Sequence, residues 1–573
     1  MKGFRMKRQF LSVLAMLVGA SCMLGAQERR ATVFTRADTL RGLLTPVRTC
    51  YDVLFEHLDV KIDPAQKFVG GSNTITFRAT EDFSVMQIDL FANMKIDSLI
   101  VDNAMQATCE RELGAVFVKV PQTLQKGTVH LLAFYYSGSP QEAKNPPWGG
   151  GFTWTTDKQG NPWIVVTCQG TGASLWWPNK DHQSDEPDSM LISVTVPPGL
   201  EDVSNGKLRS RVVYPNGWTK FDWFVSSPIN NYCVTINVGK YAHFGEIFKG
   251  EEQEYTLDYY VLPENLAKAK AQFQQVKPML KCYEKYFGPY AFANDGYKLI
   301  ECPHNGMEHQ SAVAYGNLYL EGYRGRTWAP VGLKFDFIII HESAHEWWGN
   351  SITAADIADM WIHESFGAYT EALYIESLYG RKESLEYING KKSNVQNDAP
   401  IIGTYNVHKQ GSGDMYDKGQ LVLNTLRSVI DNDPLWFSML RGFAMKYRRQ
   451  VVKAEDFFNY VNQKTNDDYG YFFDQYLKHT KIPVLQVFLS KMGDTVTARY
   501  RWQADVQEFR MPIKVTTAKG KMEFIHPTTT LQTTKLYIRD LADFKVAEDL
   551  FLVDTRISRS YLDPRMPGLP GRR

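Results

Sequence analysis

The chain has 573 residues, with 64 Lys and Arg against 63 Asp and Glu and a formal charge of +1. That balance gives no electrostatic footprint for nucleic acid or an anionic membrane surface. The length predicts about two to four domains rather than one core, and 44% hydrophobic with 13% aromatic content marks a packed globular protein rather than a disordered one.

The first residues read as an export signal. MKGFRMKRQ carries the positive charge, FLSVLAMLVGA is apolar and SCMLGA is rich in small residues. Cleavage is expected after Ala26, with the product periplasmic or secreted. The alternative is lipoprotein anchoring at Cys22, although Gly19 stands where such signals carry Leu. The apolar run is too short for a membrane span and no other stretch is long enough, so no transmembrane segment is predicted. The cysteines Cys22, Cys50, Cys109, Cys168, Cys233, Cys282 and Cys302 form no CxxC pair and no compact disulfide framework. Most are expected as buried thiols.

A polar leader covers residues 27–47. Stretches such as YDVLFEHLDVKID, GSNTITFRAT, AVFVKV and YCVTINVGKY then alternate apolar and polar residues between turn signals, which predicts an N-terminal all-β domain over 48–258. The period changes to that of helices in NLAKAKAQFQQVKPMLKCYEKYFG, which should stop at Gly288-Pro289. Helices dominate the domain assigned to 259–482, and strands return over 483–560 as a small β-sandwich. The Pro/Gly/Arg segment 561–573 is expected to be disordered. The fold class is multidomain α+β.

The stretch FDFIIIHESAHEWWGN carries H-E-x-x-H. Residues four apart share one helix face, so His341 and His345 can both reach one zinc, with Glu342 directed at a water on its open side. A hydrolytic zinc takes three protein ligands and keeps one position open. Glu364, eighteen residues beyond His345, opens a second apolar helix and supplies the third ligand. The plain alternative for Glu364 is a first-turn glutamate favoured by the helix dipole.

H-E-x-x-H, eighteen residues, then Glu resembles peptidase family M1, the zinc aminopeptidases typified by aminopeptidase N, with leukotriene epoxide hydrolase as a bifunctional relative. HEWWGNSIT resembles that family's H-x-W-x-G-N continuation. DMWIHESF resembles its D-L-W-L-N-E-G-F, with His363 for Asn and Ser365 for Gly. DMYDKGQLVL resembles the segment that carries the catalytic tyrosine, here Tyr416. NGMEHQ resembles G-x-M-E-N and supplies Gly306, Met307 and Glu308, with Asn305 and His309 departing from the pattern. Gln169, in VTCQGTGASLWWP, resembles the glutamine that helps to cradle the substrate amine. The pieces run in the family's order from about residue 50 to 490.

The resemblance implies a thermolysin-like, mainly helical catalytic domain between the two β domains. It also implies one Zn2+ per chain on His341, His345 and Glu364, and peptide substrates with a free N-terminus. Glu342 is then the base, Tyr416 the oxyanion donor, and Glu308 with Gln169 the amine site. Most family members carry a further helical domain, and this sequence is expected to have no room for a large one. Three alternatives stand beside the aminopeptidase: a zinc endopeptidase, an epoxide hydrolase on the same metal, and a non-enzymatic scaffold. No nucleic-acid partner is expected; oligomeric state, preferred terminal residue and disulfide pairing are not readable.

Overall fold

The fold comes from a computed structural model that describes residues 34–562. The export signal, Cys22, the start of the polar leader and the tail from residue 563 lie outside the described residues. Among them no helix is long and apolar enough to cross a membrane. The six cysteines they include are all free, five of them buried.

Strict alternation over Tyr51–Asp63 and Phe68–Ala79 turns one face of each strand inward. The two pair as an antiparallel hairpin from Tyr51↔Ala79 to Asp63↔Phe68. Gly71 is required there, because a Cβ would stand 1.9 Å from the Asp59 carbonyl oxygen. The hairpin lies in the middle of an eight-stranded sheet, where Tyr51–Asp63 also pairs in parallel with Ser189–Val196. A four-stranded sheet (Glu201–Ser204, Ile236–Gly239, Pro162–Thr167, Gly151–Thr156) and a three-stranded one (Phe83–Asp89, Ala115–Leu124, Thr108–Glu112) complete the N-terminal part. Their common core buries Trp176 and Trp177 fully.

A five-stranded sheet follows, in the order Ala242–Lys249, Glu254–Val261, Tyr297–Glu301, Val313–Tyr315, Gly306–Met307. The division expected at residue 258 therefore falls inside the strand Glu254–Val261. This sheet belongs to both cores: Leu257, Tyr259 and Leu299 pack with the helices, while Ile300, Met307 and Ala314 pack with the N-terminal strands. Helix Val276–Phe287 stops at Gly288, whose φ of +95° excludes most other residues.

The helix that carries H-E-x-x-H spans Phe337–Ala344, and His345 is its C-terminal cap. It is short, so its start has to be fixed by its surroundings. Asp336 does this. Its Oδ1 accepts from the backbone N–H groups of Ile338 (3.0 Å) and Ile339 (3.3 Å) and from Asn317 Nδ2 (2.8 Å). Its Oδ2 accepts from Tyr315 O–H (2.7 Å) and Gln272 Nε2 (2.8 Å). Burial still pushes the carboxyl up to about 6. The next helix, Trp361–Tyr379, is buried along most of its length.

The C-terminal part joins a four-stranded sheet (Gln532–Leu536, Thr495–Gln503, Val484–Met492, Asp554–Leu562) to the hairpin Ile513–Ala518 and Lys521–Ile525. It shares the second core with the helices through Trp502, Phe509 and Tyr476.

Asp336→Ala removes a cap and leaves the Tyr315 hydroxyl as a buried donor without its acceptor. The expected cost is on the order of 2–4 kcal/mol, read as a lower midpoint in thermal or urea unfolding.

Candidate active site

A cavity of about 200 Å³ opens over the H-E-x-x-H helix. His341, Glu342, His345, Glu364, Glu308, Gln169, Gly306 and Tyr416 all line it. Met307 does not: its side chain is buried in the N-terminal core.

Three ligand atoms converge. His341 Nε2 and His345 Nε2 are 3.4 Å apart, and Glu364 Oε2 lies 3.7 and 3.5 Å from them. In a tetrahedron with bonds of about 2.0–2.1 Å, ligand atoms stand about 3.3–3.4 Å apart. The proton positions follow from the outer contacts. His341 Nδ1 donates to Glu371 Oε1 at 2.7 Å, and His345 Nδ1 donates to the Trp348 carbonyl at 2.8 Å. Each Nε2 is then left with a lone pair. Glu364 Oε2 is buried and has no hydrogen-bond partner. Two lone pairs and an orphaned carboxylate oxygen around one point fit a divalent cation with nitrogen and oxygen ligands.

The layer behind the ligands is itself bonded. Glu371 Oε2 accepts from Lys391 Nζ (2.6 Å) and Tyr387 O–H (2.7 Å). Glu371 was not singled out in the sequence, although it stands seven residues after Glu364 and so on the same helix face. Gly367 gives the His345 ring its room, since a Cβ there would lie 2.9 Å from His345 Cε1.

Glu342 is 8% exposed. Burial pushes its carboxyl up to about 7, with His341 pulling down and Glu308 pushing up. A Cβ on residue 306 would lie 2.7 Å from Glu342 Oε1, so Gly306 is what lets the strand edge approach this group. Tyr416 sits just before helix Asp417–Ile430, its ring 6.1 Å from that of His341.

Glu308 is 2% exposed. Its Oε1 accepts from Gln169 Nε2 (2.8 Å) and Tyr232 O–H (3.2 Å). Gln169 Nε2 also donates to Glu364 Oε1 (2.6 Å), so one amide joins the carboxylates of Glu308 and Glu364. Asn350 Nδ2 donates to the Glu308 backbone carbonyl at 2.9 Å. Tyr232 was likewise missed; nothing local marks one tyrosine among 30. His309 is buried with neither ring nitrogen hydrogen-bonded, and burial lowers it to about 3. It is packing bulk beneath the segment and does not line the cavity.

Residues 271–476 match the family model described as the Peptidase family M1 domain. The chain carries a peptidase family M1 domain. It is 22% identical over 352 residues to human endoplasmic reticulum aminopeptidase 1, which covers 59% of this chain and 36% of that protein. It is 20% identical over 453 residues to leukotriene A-4 hydrolase of Xenopus laevis, covering 74% and 69%. The chain thus spans 36–37% of the length of the first curated relatives it matches. An M1 zinc metallopeptidase of Deinococcus radiodurans, solved as a mutant bound to Tyr-Ser-Ala substrate, superposes with a TM-score of 0.62 at 19% identity. The overlap covers 76% of this chain and 95% of that one. The multidomain α+β architecture is therefore the M1 fold.

The departures from the M1 pattern have local explanations. Ser365 Oγ donates to the Met415 carbonyl at 2.7 Å, directly before Tyr416, and Gly419 leaves the space it occupies. His363 Nε2 accepts from the Ala354 N–H at 2.9 Å. Asn305 Nδ2 donates to the Tyr323 hydroxyl at the cavity wall.

Glu371→Gln is expected to keep the fold and to weaken zinc binding by about 10–100-fold, because a neutral amide holds His341 less firmly. Competition against a chelating dye measures this; unchanged affinity would remove Glu371 from the support of the metal.

Proposed function

We propose that the protein is a zinc-dependent aminopeptidase, with one zinc per chain on His341, His345 and Glu364, that removes N-terminal residues from peptides. The observation that carries the reading is Glu308, a buried carboxylate held in the same cavity as the three ligand atoms and tied to Glu364 through Gln169. A thermolysin-like endopeptidase has no need for a second fixed anion beside its metal.

Zinc bound there supplies Lewis-acid polarisation of the scissile carbonyl and lowers the pKa of a water to about 7. The remaining roles belong to side chains. Glu308 pairs with the substrate ammonium and sets the register one residue from the end. Glu342, buried and with its pKa raised, takes a proton from the attacking water and returns it to the leaving amine. Tyr416 donates to the developing oxyanion. The export signal read in residues 1–26 supports a site of action outside the cytoplasm as part of this proposal.

Aminoacyl amides and short peptides, each with a free or an acetylated amine, test this with and without chelator. Acetylation should lower kcat/KM by roughly 30-fold to several thousand-fold, as expected for a buried carboxylate that loses its cation. Comparable rates, with cuts inside the chain, would install the endopeptidase instead.

Glu342→Gln should keep zinc and lose nearly all turnover. Tyr416→Phe should lower kcat with little change in KM, since an oxyanion contact forms mainly in the transition state. A rise in KM alone would take the oxyanion role from Tyr416.

A further inference from the structure

The amine-binding carboxylate sits at the end of a hydrogen-bond chain with one possible direction. The chain begins at a backbone N–H, which can only donate. The Ala354 N–H points at His363 Nε2 from 2.9 Å. Ala354 closes the strand Ile352–Ala354, which pairs in parallel with Gln450–Val452, so this donor is fixed by a ladder. His363 Nε2 must therefore carry the lone pair, and the ring proton lies on Nδ1. The one hydrogen-bond contact of Nδ1 is the Tyr232 hydroxyl oxygen, 3.3 Å away, which has to accept. Tyr232 has a single proton left to give, and Glu308 Oε1 lies 3.2 Å from its oxygen. The rings of Tyr232 and His363 lie nearly parallel, 20° apart. His363, Glu308 and Tyr232 are 0%, 2% and 4% exposed, so no solvent competes for these bonds.

We propose that His363 and Tyr232 are positioning residues for substrate recognition: they fix the rotation of the Glu308 carboxylate through the chain Ala354 N–H to His363 to Tyr232 to Glu308. This rests on the aminopeptidase reading of Glu308. Both side-chain hydrogen bonds on Glu308, from Tyr232 and Gln169, fall on Oε1. That pins one oxygen and leaves Oε2 for the ammonium. Without Tyr232 the carboxylate hangs on Gln169 alone, and Gln169 is shared with Glu364. His363 touches neither the ligand atoms' common point nor the cavity; it acts through Tyr232.

The test uses the zinc-loaded full chain and two probes, leucine hydroxamate and N-acetyl-leucine hydroxamate, with binding measured by calorimetry. Wild type should bind the free amine more tightly. Tyr232→Phe should cut that preference by about 10-fold or more, through weaker free-amine binding, with unchanged zinc content and unchanged binding of the acetylated probe. His363→Phe, which keeps a ring but cannot donate, should cut it likewise. His363→Asn, with Nδ2 near the place of Nδ1, should restore most of it. Adding His363→Phe to Tyr232→Phe should cost nothing further, since both remove the same bond. A preference kept within twofold in Tyr232→Phe overturns the proposal and leaves the aminopeptidase reading standing. Should His363→Phe fail to fold, the Tyr232→Phe and His363→Asn results decide alone. Equal binding of both probes by wild type would overturn the reading of Glu308 itself, and the proposal with it.

Discussion

The centre depends on a charge problem that side chains alone do not solve. Glu308, Glu342 and Glu364 are each buried around one cavity. The two imidazoles among them present lone pairs, because Glu371 and the Trp348 carbonyl hold their protons on the far side. Burial pushes Glu308 and Glu342 toward the neutral acid, whereas a base and an ammonium partner both have to be ionised. A divalent cation held at the common point of His341, His345 and Glu364 would favour the ionised forms of the carboxyls around it. The lysine behind Glu371 is needed for a related reason. It neutralises a second-layer carboxylate that would otherwise add to the repulsion.

The N-terminal β domain contributes to this centre directly. Gln169 and Tyr232 come from it, and both bond the carboxylate that the catalytic part supplies at residue 308. The strand Gly306–Met307 lies at the seam, with Gly306 against Glu342 and Met307 in the N-terminal core. The surroundings of Glu308, the proposed amine site, are thus assembled from two parts of the chain packed on either side of one sheet. This explains why the sheet has no clean boundary at residue 258: its strands have to belong to both cores.

Legibility in the sequence followed the range of each interaction. His341 and His345 were readable because four residues on a helix are neighbours, and Glu364 because one ligand set needs a third member. Strand and helix regions were readable from periodicity, and the helix stop at Gly288 from its position before Pro289. The short parallel pair Ile352–Ala354 and Gln450–Val452 carries no periodic signal, and neither does the division of one sheet between two cores. Glu371 was within reach, since its spacing from Glu364 repeats the helix face. Tyr232 was not, because its partners stand 76 and 131 residues away. Gln169 and Glu308 entered through the family resemblance rather than through any local pattern. The cavity gathers both, but leaves Met307 outside.

Three of the departures from the M1 pattern, Asn305, His363 and Ser365, make hydrogen bonds around the site, and none falls on His341, His345, Glu364 or Glu342. The physical tolerances of the two layers differ. A metal ligand has to place one particular atom within about 0.2 Å of its ideal distance, which few side chains manage on a given backbone. A hydrogen-bond relay asks only for a donor or acceptor at roughly the right point. An imidazole at residue 363 supplies an acceptor for Ala354 and a donor for Tyr232 at once, so a ring can stand where the pattern has an amide. Ser365 adds a hydroxyl that reaches Met415, and it does so because Gly419 opposite has no side chain to meet it. These two departures are each matched by a partner on another element, whereas His309 makes no side-chain hydrogen bond and only fills space. The chain therefore alters its second layer in complementary pairs and leaves the geometry at the common point of His341, His345 and Glu364 intact.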